Sequence, residues 1–320
     1  MSAVSFIKKI CAAVVINLYL TFLSFSNCIA ATTLDPMYVV YIGANTDNGF
    51  WKETQDFFLD IASDLNIKYT TLHATNYRQA LEEFKNAAEF TPKPNYIIVP
   101  QYFHLGEQIL AMADEQNISV FIINSGFQGR HVNSVGTPRG KYKKWLGHMY
   151  PDDKAVGAEL ANILADSKIY NNEPTIYNNE PTKQTLDTEM TMIGISGATR
   201  TSPGVLRKRG LLSVVKTRDD LKLKRATDTE WNQHDAEKTV TALIEYYGKI
   251  DTIWTAGEGL AAGAIDAVTR AGRTPGKHVN IGTIGWAEGS LENIKNKKLH
   301  VAIGGHFLEA GLALVLIHDS

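Results

Sequence analysis

A strand-to-helix turn is encoded by Gly43-Ala44-Asn45-Thr46-Asp47-Asn48-Gly49-Phe50-Trp51. It follows an apolar run at Tyr38–Ile42 and leads into Trp51–Leu65, where apolar residues recur with helical periodicity. Such turns lie at the carboxyl ends of parallel strands, where open α/β sheets bind their ligands. The stretch therefore predicts an α/β fold with a binding loop at its first turn.

The side chains of this turn indicate a class of ligand. Phe50 and Trp51 stand beside amide side chains, and no lysine or arginine occurs between Gly43 and Trp51. A phosphate cradle would require glycines, a lysine and free backbone N–H groups. Aromatic rings next to amides suit a polar ring, such as a sugar, better than they suit a phosphate.

Strands and helices alternate along the rest of the chain, which predicts parallel sheets with helices on both faces. The first series predicts strands at Tyr38–Gly43, Ile67–His73, Tyr96–Pro100 and Val120–Asn124, and helices at Trp51–Leu65, Tyr77–Phe90 and Gly106–Gln116. The second series starts at Trp145–Tyr150 and predicts further strands at Met190–Ser196, Leu221–Ala226, Asp251–Thr255, Val279–Ile284 and Leu299–Gly305. Its helices are predicted at Pro151–Ser167, Pro203–Thr217, Gln233–Tyr247, Leu260–Ala271 and Phe307–Ile317.

Two interruptions divide the pattern. Ser125–Lys144 is rich in glycine and basic residues and lacks periodicity, so we place a lobe boundary there. Lobe 1 is predicted to comprise residues 37–130 and 286–320, and lobe 2 residues 138–284. The second interruption is a tandem repeat of Ile-Tyr-Asn-Asn-Glu-Pro-Thr at residues 169–182, which is predicted to be an exposed loop without a ligand role.

The first 30 residues have the outline of a secretory signal peptide. Two lysines precede an uncharged apolar run at Ile10–Ser26, and Cys28-Ile29-Ala30 ends in small residues. Cleavage after Ala30 or Ala31 would leave a mature chain that starts near Thr32. The alternative interpretation is an uncleaved membrane anchor, because the apolar run is longer than many signal cores.

Charge and cysteine content exclude several function classes. The full chain has a net charge of −2 and only two cysteines, Cys11 and Cys28, both in the leader. The chain that follows is mildly acidic and has no basic stripe, which argues against nucleic acid and anionic membranes as partners. Without cysteine it has no disulfides, thiolate ligands or cysteine nucleophile.

The order of several motifs resembles one known family. Asp47-Asn48-Gly49-Phe50-Trp51 looks like an Asn-Pro-Phe-Phe turn, and Arg207-Lys208-Arg209-Gly210 is similar to an Arg-x-Arg-Gly motif early in a helix. Asp251–Thr255 with Gly257-Glu258-Gly259 looks like a strand followed by an Asn-Asp loop. Over residues 37–320 the chain resembles the type I periplasmic binding proteins of ABC sugar transporters. That family includes ribose-binding protein, LacI-type effector domains and autoinducer receptors.

The resemblance implies a fold and a function. It implies two Rossmann-like three-layer lobes with parallel sheets, joined by a hinge, that close on a small-molecule ligand, a sugar. It also implies a monomer in the periplasm that needs no cofactor. The membrane partner is either an ABC permease or a sensor protein that signals to a kinase or cyclase. A third hinge strand is further implied after the helix that starts at Phe307, and the sequence ends before it, which is consistent with truncation.

The resemblance also implies ligand contacts, residue by residue. Asn124-Ser125 stands where the family often has Asp-Arg, so a bidentate arginine is missing at that point. Trp231 takes the place of an aromatic residue of the second lobe, and Trp286 falls in a turn where the family has Asp or Trp. The predicted ligand-binding residues are Asn48, Phe50, Trp51, Asn124, Arg207, Trp231, Glu258 and Trp286.

Other interpretations of these residues stay open. Arg207–Arg209 also fits a solvated helix face, and core packing is the commoner fate of a tryptophan. Gly257-x-Gly259-x-x-Ala262 is a weak dinucleotide fingerprint, in which Glu258 would repel a pyrophosphate.

The nine histidines show no metal-binding spacing. A secreted α/β enzyme is the remaining alternative, but the sequence contains no nucleophile elbow and no evident carboxylate pair.

Overall fold

Five parallel strands form the sheet of lobe 1, in the spatial order β2-β1-β3-β4-β5. The strands are β1 (Tyr38–Gly43), β2 (Lys68–His73), β3 (Tyr96–Pro100), β4 (Ser119–Ile123) and β5 (Trp145–Met149). The helices between them are α1 (Gly49–Asp64), α2 (Tyr77–Ala88), α3 (Gly106–Gln116) and α4 (Arg130–Val135). Every residue of β1 is buried, as expected of a central strand that is covered on both faces.

Five further parallel strands form the sheet of lobe 2, in the order β12-β11-β10-β8-β9. Two short strands, β6 (Ile176–Tyr177) and β7 (Glu180–Pro181), form a separate antiparallel pair. The sheet strands are β8 (Met190–Ser196), β9 (Leu221–Asp228), β10 (Thr252–Thr255), β11 (Asn280–Ile284) and β12 (Val301–Ile303). The helices of this lobe are α5 (Asp153–Asp166), α6 (Ser202–Val215), α7 (Gln233–Tyr247), α8 (Glu258–Arg270) and α9 (Glu288–Lys295).

The predicted fold class, two α/β lobes with parallel sheets, is confirmed by this arrangement. This computed structural model describes residues 37–44, 49–101, 106–127, 129–167, 176–177, 180–181 and 189–320. The predicted signal peptide, Asn48 and most of the duplicated loop at residues 169–182 lie outside the described residues. Among the helices in the described part of the chain, none is long and apolar enough to cross a bilayer.

The chain passes between the lobes at two places that differ from the predicted lobe bounds. β5 pairs with β4, with His148 beside Ile122, so the first sheet extends to Met149 although residues 138–284 were assigned to lobe 2. β12 pairs with β11, so residues 286–303 remain in lobe 2 although they were assigned to lobe 1. The crossings therefore follow Met149 and Ile303. Periodicity identifies a strand, but the sheet that it joins depends on tertiary pairing.

The second crossing depends on two glycines. Gly305 has a φ of +116°, a conformation that residues with a Cβ rarely adopt. Gly304 lies against the backbone of Gly285, and a Cβ on Gly304 would stand 2.8 Å from the Gly285 Cα. A short 3-10 helix, His306–Leu308, follows and leads into α10 (Glu309–His318). Because α10 packs on α1, the chain is back in lobe 1 at this point.

Close packing of α10 on α1 gives a stability prediction. A Cβ on Gly311 of α10 would stand 2.5 Å from the ring of Phe57 and 3.0 Å from Ile61, whereas Gly289 of α9 has open space around it. Helix propensity alone favours alanine over glycine by at most about 1 kcal/mol at either position, since both lie in the first turn of their helices. We expect Gly311→Ala to lower the free energy of unfolding by about 1–3 kcal/mol, because overpacking outweighs propensity. Gly289→Ala should leave it unchanged or raise it. Urea unfolding of both variants tests this, and a stabilised G311A would contradict it.

Candidate functional site

A line of side-chain contacts joins the carboxyl ends of strands from both lobes. The ring of Phe50, at the start of α1, has its centroid 4.4 Å from that of His306, which follows β12. His306 Nε2 lies 3.4 Å from Nη2 of Arg207 in α6. The Arg207 guanidinium carbon lies 6.0 Å from the ring centroid of Trp231, which follows β9. Two aromatic rings, an imidazole and a guanidinium therefore meet where α/β folds bind ligands.

Arg207 is the buried centre of this line. It lies on α6, whose start is capped by Thr201, and only 3% of the residue is exposed. Its Nε donates to Oδ1 of Asp153 at 2.7 Å, and its Nη1 donates to the Ala256 carbonyl at 2.7 Å. With the contact to His306, three of its five N–H groups are engaged. The solvated-face interpretation therefore does not apply to Arg207, although Arg209 is exposed.

Trp231 forms a wall across the ends of two strands. Its Nε1 donates to Thr201 Oγ1 at 3.2 Å, which fixes the plane of the indole. A Cβ on Gly197, after β8, would stand 2.1 Å from the indole, and a Cβ on Gly257, after β10, would stand 3.1 Å from it. Glycine at these strand ends is what lets the ring lie there. Trp231 is partly exposed, and the guanidinium of Arg207 lies beside its ring.

His306 completes the line as a neutral donor and acceptor. Burial lowers its pKa well below the ordinary value, and the nearby Arg207 guanidinium lowers the pKa further. Because a guanidinium only donates, Nε2 of His306 is the acceptor in their contact and the proton resides on Nδ1. His306 was not among the predicted ligand-binding residues, and its one signal in the sequence is its place after the last predicted strand. Asp153, the partner of Arg207, was not predicted at all, and its one signal is a polar residue at the start of a helix.

Comparison with known proteins now identifies the family. Residues 39–315 match the model for the periplasmic binding protein domain. The chain belongs to this family. Members of the family bind solutes and are not enzymes, which confirms the prediction of a non-enzymatic binding protein. No curated protein matches the chain.

Several solved structures share the fold of this periplasmic binding protein. A periplasmic sugar-binding protein from Pseudomonas fluorescens is 24% identical with a TM-score of 0.72, over 88% of this chain and 79% of that chain. An ABC transporter periplasmic solute-binding protein from Actinobacillus succinogenes 130z with bound D-allose is 17% identical with a TM-score of 0.72. The match covers 89% of this chain and 90% of that chain. The periplasmic binding protein component of the arabinose ABC transporter from Shewanella sp. ANA-3, bound to L-arabinofuranose, is 14% identical with a TM-score of 0.72. The match covers 88% of this chain and 85% of that chain.

The lobe-1 turn of the binding protein supplies Phe50 and Trp51. Their ring centroids are 5.0 Å apart with an interplanar angle of 76°, and both residues are partly exposed. Thr54 Oγ1 donates to the Phe50 carbonyl at 2.8 Å, which fixes the first turn of α1. The two rings therefore stand together at the start of α1, and the ring of Phe50 lies against that of His306.

Asn124 is tied to the hinge through its backbone. It has a φ of 72°, a left-handed conformation that asparagine tolerates better than most residues. Its N–H donates to Glu309 Oε2 at 2.7 Å, and its Nδ2 donates to Ser125 Oγ at 3.2 Å. Glu309 is the first residue of α10 after the second crossing. The predicted residue thus lies beside a buried carboxyl group that the sequence did not reveal.

Glu258 is the first residue of α8 and Trp286 precedes α9, and both contact the loops around the second crossing. The Glu258 carboxylate accepts the N–H of Ala287, and burial raises the pKa of Glu258 to about 7 despite this hydrogen bond. Trp286 donates from Nε1 to the Ala302 carbonyl at 3.3 Å and packs on Gly305, with 44% of the residue exposed. The Arg207 guanidinium lowers the pKa of Glu258, so Glu258 also lies within electrostatic reach of the line of contacts.

Glu309 is expected to make stability depend on pH. Burial raises its pKa to about 8 from an ordinary 4.5. The folded state therefore keeps a proton that the unfolded state releases, and the stability from the protonated acid is fully present below pH 4.5 and lost as pH rises through 8. Glu309→Gln mimics the neutral acid. We expect the free energy of unfolding of Glu309→Gln to equal that of the wild type near pH 4.5. At pH 8.5 it should be higher than that of the wild type by roughly 2–5 kcal/mol, since each pKa unit corresponds to about 1.4 kcal/mol.

The matched control is Glu82→Gln on the exposed side of α2. Urea unfolding from pH 4.5 to 8.5 should show no pH-dependent difference between this variant and the wild type. A difference between E309Q and the wild type that stays constant over the same range would contradict the assignment.

Proposed function

We propose that the protein is a periplasmic solute-binding protein that closes on a small polar ligand, a sugar. The observation that carries the proposal is the line from Phe50 through His306 and Arg207 to Trp231. Sugar rings present apolar C–H faces to aromatic rings, and burial of apolar area contributes roughly 25 cal/mol per Å². The N–H groups of Arg207 that have no partner among the described residues, together with the Nδ1–H of His306, supply donors to hydroxyl oxygens.

The distribution of these groups supports binding by closure. Phe50 belongs to lobe 1, Arg207 and Trp231 belong to lobe 2, and His306 stands at the second crossing. A ligand that contacts both sides gains more interactions when the lobes come together, so it shifts the equilibrium toward the closed form. A site of this kind also rejects ligands without hydroxyls, because its buried donors would then be left unpaired.

The other predicted ligand residues keep different roles in this proposal. Asn48 and Trp51 are proposed to contact the ligand, as the resemblance implies. For Asn124, Glu258 and Trp286, the contacts with Glu309, Ala287 and Ala302 favour a role in holding the loops around the site.

The partner and the location follow from the family. Members of the family are periplasmic, and two of the similar structures are named as components of ABC transporters. We therefore propose that the mature protein is a periplasmic monomer that delivers its ligand to an ABC permease. Two similar structures hold D-allose and L-arabinofuranose, so hexoses and pentoses both belong in the test.

Ligand binding is tested with a panel of pentoses and hexoses, read by tryptophan fluorescence and thermal unfolding. At least one sugar should give a saturable fluorescence change and raise the unfolding temperature, since a ligand at 100 times its Kd stabilises by about 2.7 kcal/mol. Trp231→Ala should lower the affinity for that sugar about 10-fold or more, because the substitution removes an aromatic ring on which the sugar can stack. The control is Tyr246→Ala, at an 81% exposed residue of the same lobe. The sugar assignment fails if no sugar binds, or if W231A binds like Y246A.

A further inference from the structure

The start of α9 is held by two carboxylates that come from different lobes. Ala287 immediately precedes the helix and has no side-chain acceptor to cap it. Glu258 of lobe 2 accepts the N–H of Ala287. Glu53 of α1, in lobe 1, accepts the N–H of Glu288 through Oε1 at 2.6 Å, across a sequence separation of 235 residues.

The contact has a clear physical cause. A helix leaves its first N–H groups without partners in the helix, and they are usually satisfied by a side chain just before it. The same end of the helix carries a partial positive charge that stabilises a carboxylate. Because alanine stands at the capping position of α9, lobe 2 leaves the N–H of Glu288 without a cap from the preceding side chain. Lobe 1 supplies the acceptor through Glu53.

The two partners move with different lobes. α9 connects β11 to β12 and packs on β12, so it is part of lobe 2. α1 follows β1 and packs on α10, so it is part of lobe 1. Glu258, within lobe 2, fixes the start of α9 so that the next N–H points at Glu53. The hydrogen bond of Glu53 therefore exists only while the lobes are together on this side.

We propose that Glu53 is a closure residue that caps α9 across the interlobe boundary and so stabilises the closed form without contacting the ligand. This inference deepens the proposed binding function and rests on it for its effect on affinity. Loss of a helix cap shifts an equilibrium by roughly 2- to 30-fold. The same factor should apply to the balance between open and closed lobes.

The variants are Glu53→Ala, which removes the acceptor, and Glu53→Gln, which keeps an acceptor oxygen. The matched control is Glu292→Ala, on α9, whose carboxylate accepts only from the side chain of Asn296, just after the helix, among the described contacts. Spin labels on Arg78→Cys and Thr199→Cys report the lobe distance, because these exposed residues follow the carboxyl ends of β2 and β8. Cys11→Ser and Cys28→Ser remove the natural thiols from the full chain.

Two measurements on the ligand-free protein decide the proposal. In E53A, hydrogen exchange at the Glu288 amide should be roughly 2- to 30-fold faster and the population at long label distance should grow by the same factor. In E53Q, the exchange rate of the Glu288 amide and the population at long label distance should both return most of the way to the wild-type values. Both quantities should equal the wild-type values in E292A. The proposal is overturned if E53A behaves like E292A, or if exchange accelerates without a change in lobe distance. Failure of every sugar to bind would overturn the sugar function and leave this result standing.

Discussion

The buried ion pair between Arg207 and Asp153 is the interaction on which the rest of the site depends. Nε and Oδ1 are 2.7 Å apart, and the two side chains are 4% and 1% exposed. Taking both charges out of water is expensive, and removal of one partner would leave a buried charge that costs about 3–5 kcal/mol. The pair therefore fixes the guanidinium in one orientation. Since Asp153 directly follows the first crossing and His306 follows the second, Arg207 touches the chain at both.

Glycines make this pair possible by letting α5 and α6 approach each other closely. A Cβ on Gly210 would stand 2.2 Å from the Lys154 carbonyl, and a Cβ on Gly157 would stand 2.2 Å from the Arg207 carbonyl. The glycine of the Arg207-Lys208-Arg209-Gly210 motif thus has a packing reason. It brings the start of α5 close enough for Asp153 to reach Arg207. In this way, the motif encodes a helix contact as well as a donor.

The sequence predicted the elements better than their assignment to lobes. β1 and β3 are buried apolar runs that can only be central strands, and both agree with their predicted bounds. β5 and β12 are edge strands with partly exposed residues, so their composition does not distinguish the two sheets. The eight-residue α9 was not predicted, because a helix this short with one buried residue has little periodicity. The two crossings follow β5 and β12. Their predicted positions were wrong because the composition of these strands does not show which sheet each one joins.

The places of the candidate site residues at the ends of strands follow from the sequence, whereas the contacts of their side chains do not. Arg207 and Trp231 lie in one line because Asp153 holds the guanidinium and Gly197 leaves room for the indole. Glu258 follows its strand as expected. Because a buried carboxylate needs N–H donors, its side chain turns toward the uncapped start of α9 and accepts the N–H of Ala287. That helix start is visible in the sequence only as an alanine at position 287. Its remaining partner, Glu53, is 235 residues from Glu288 in the other lobe, so it becomes apparent only from the assembled fold.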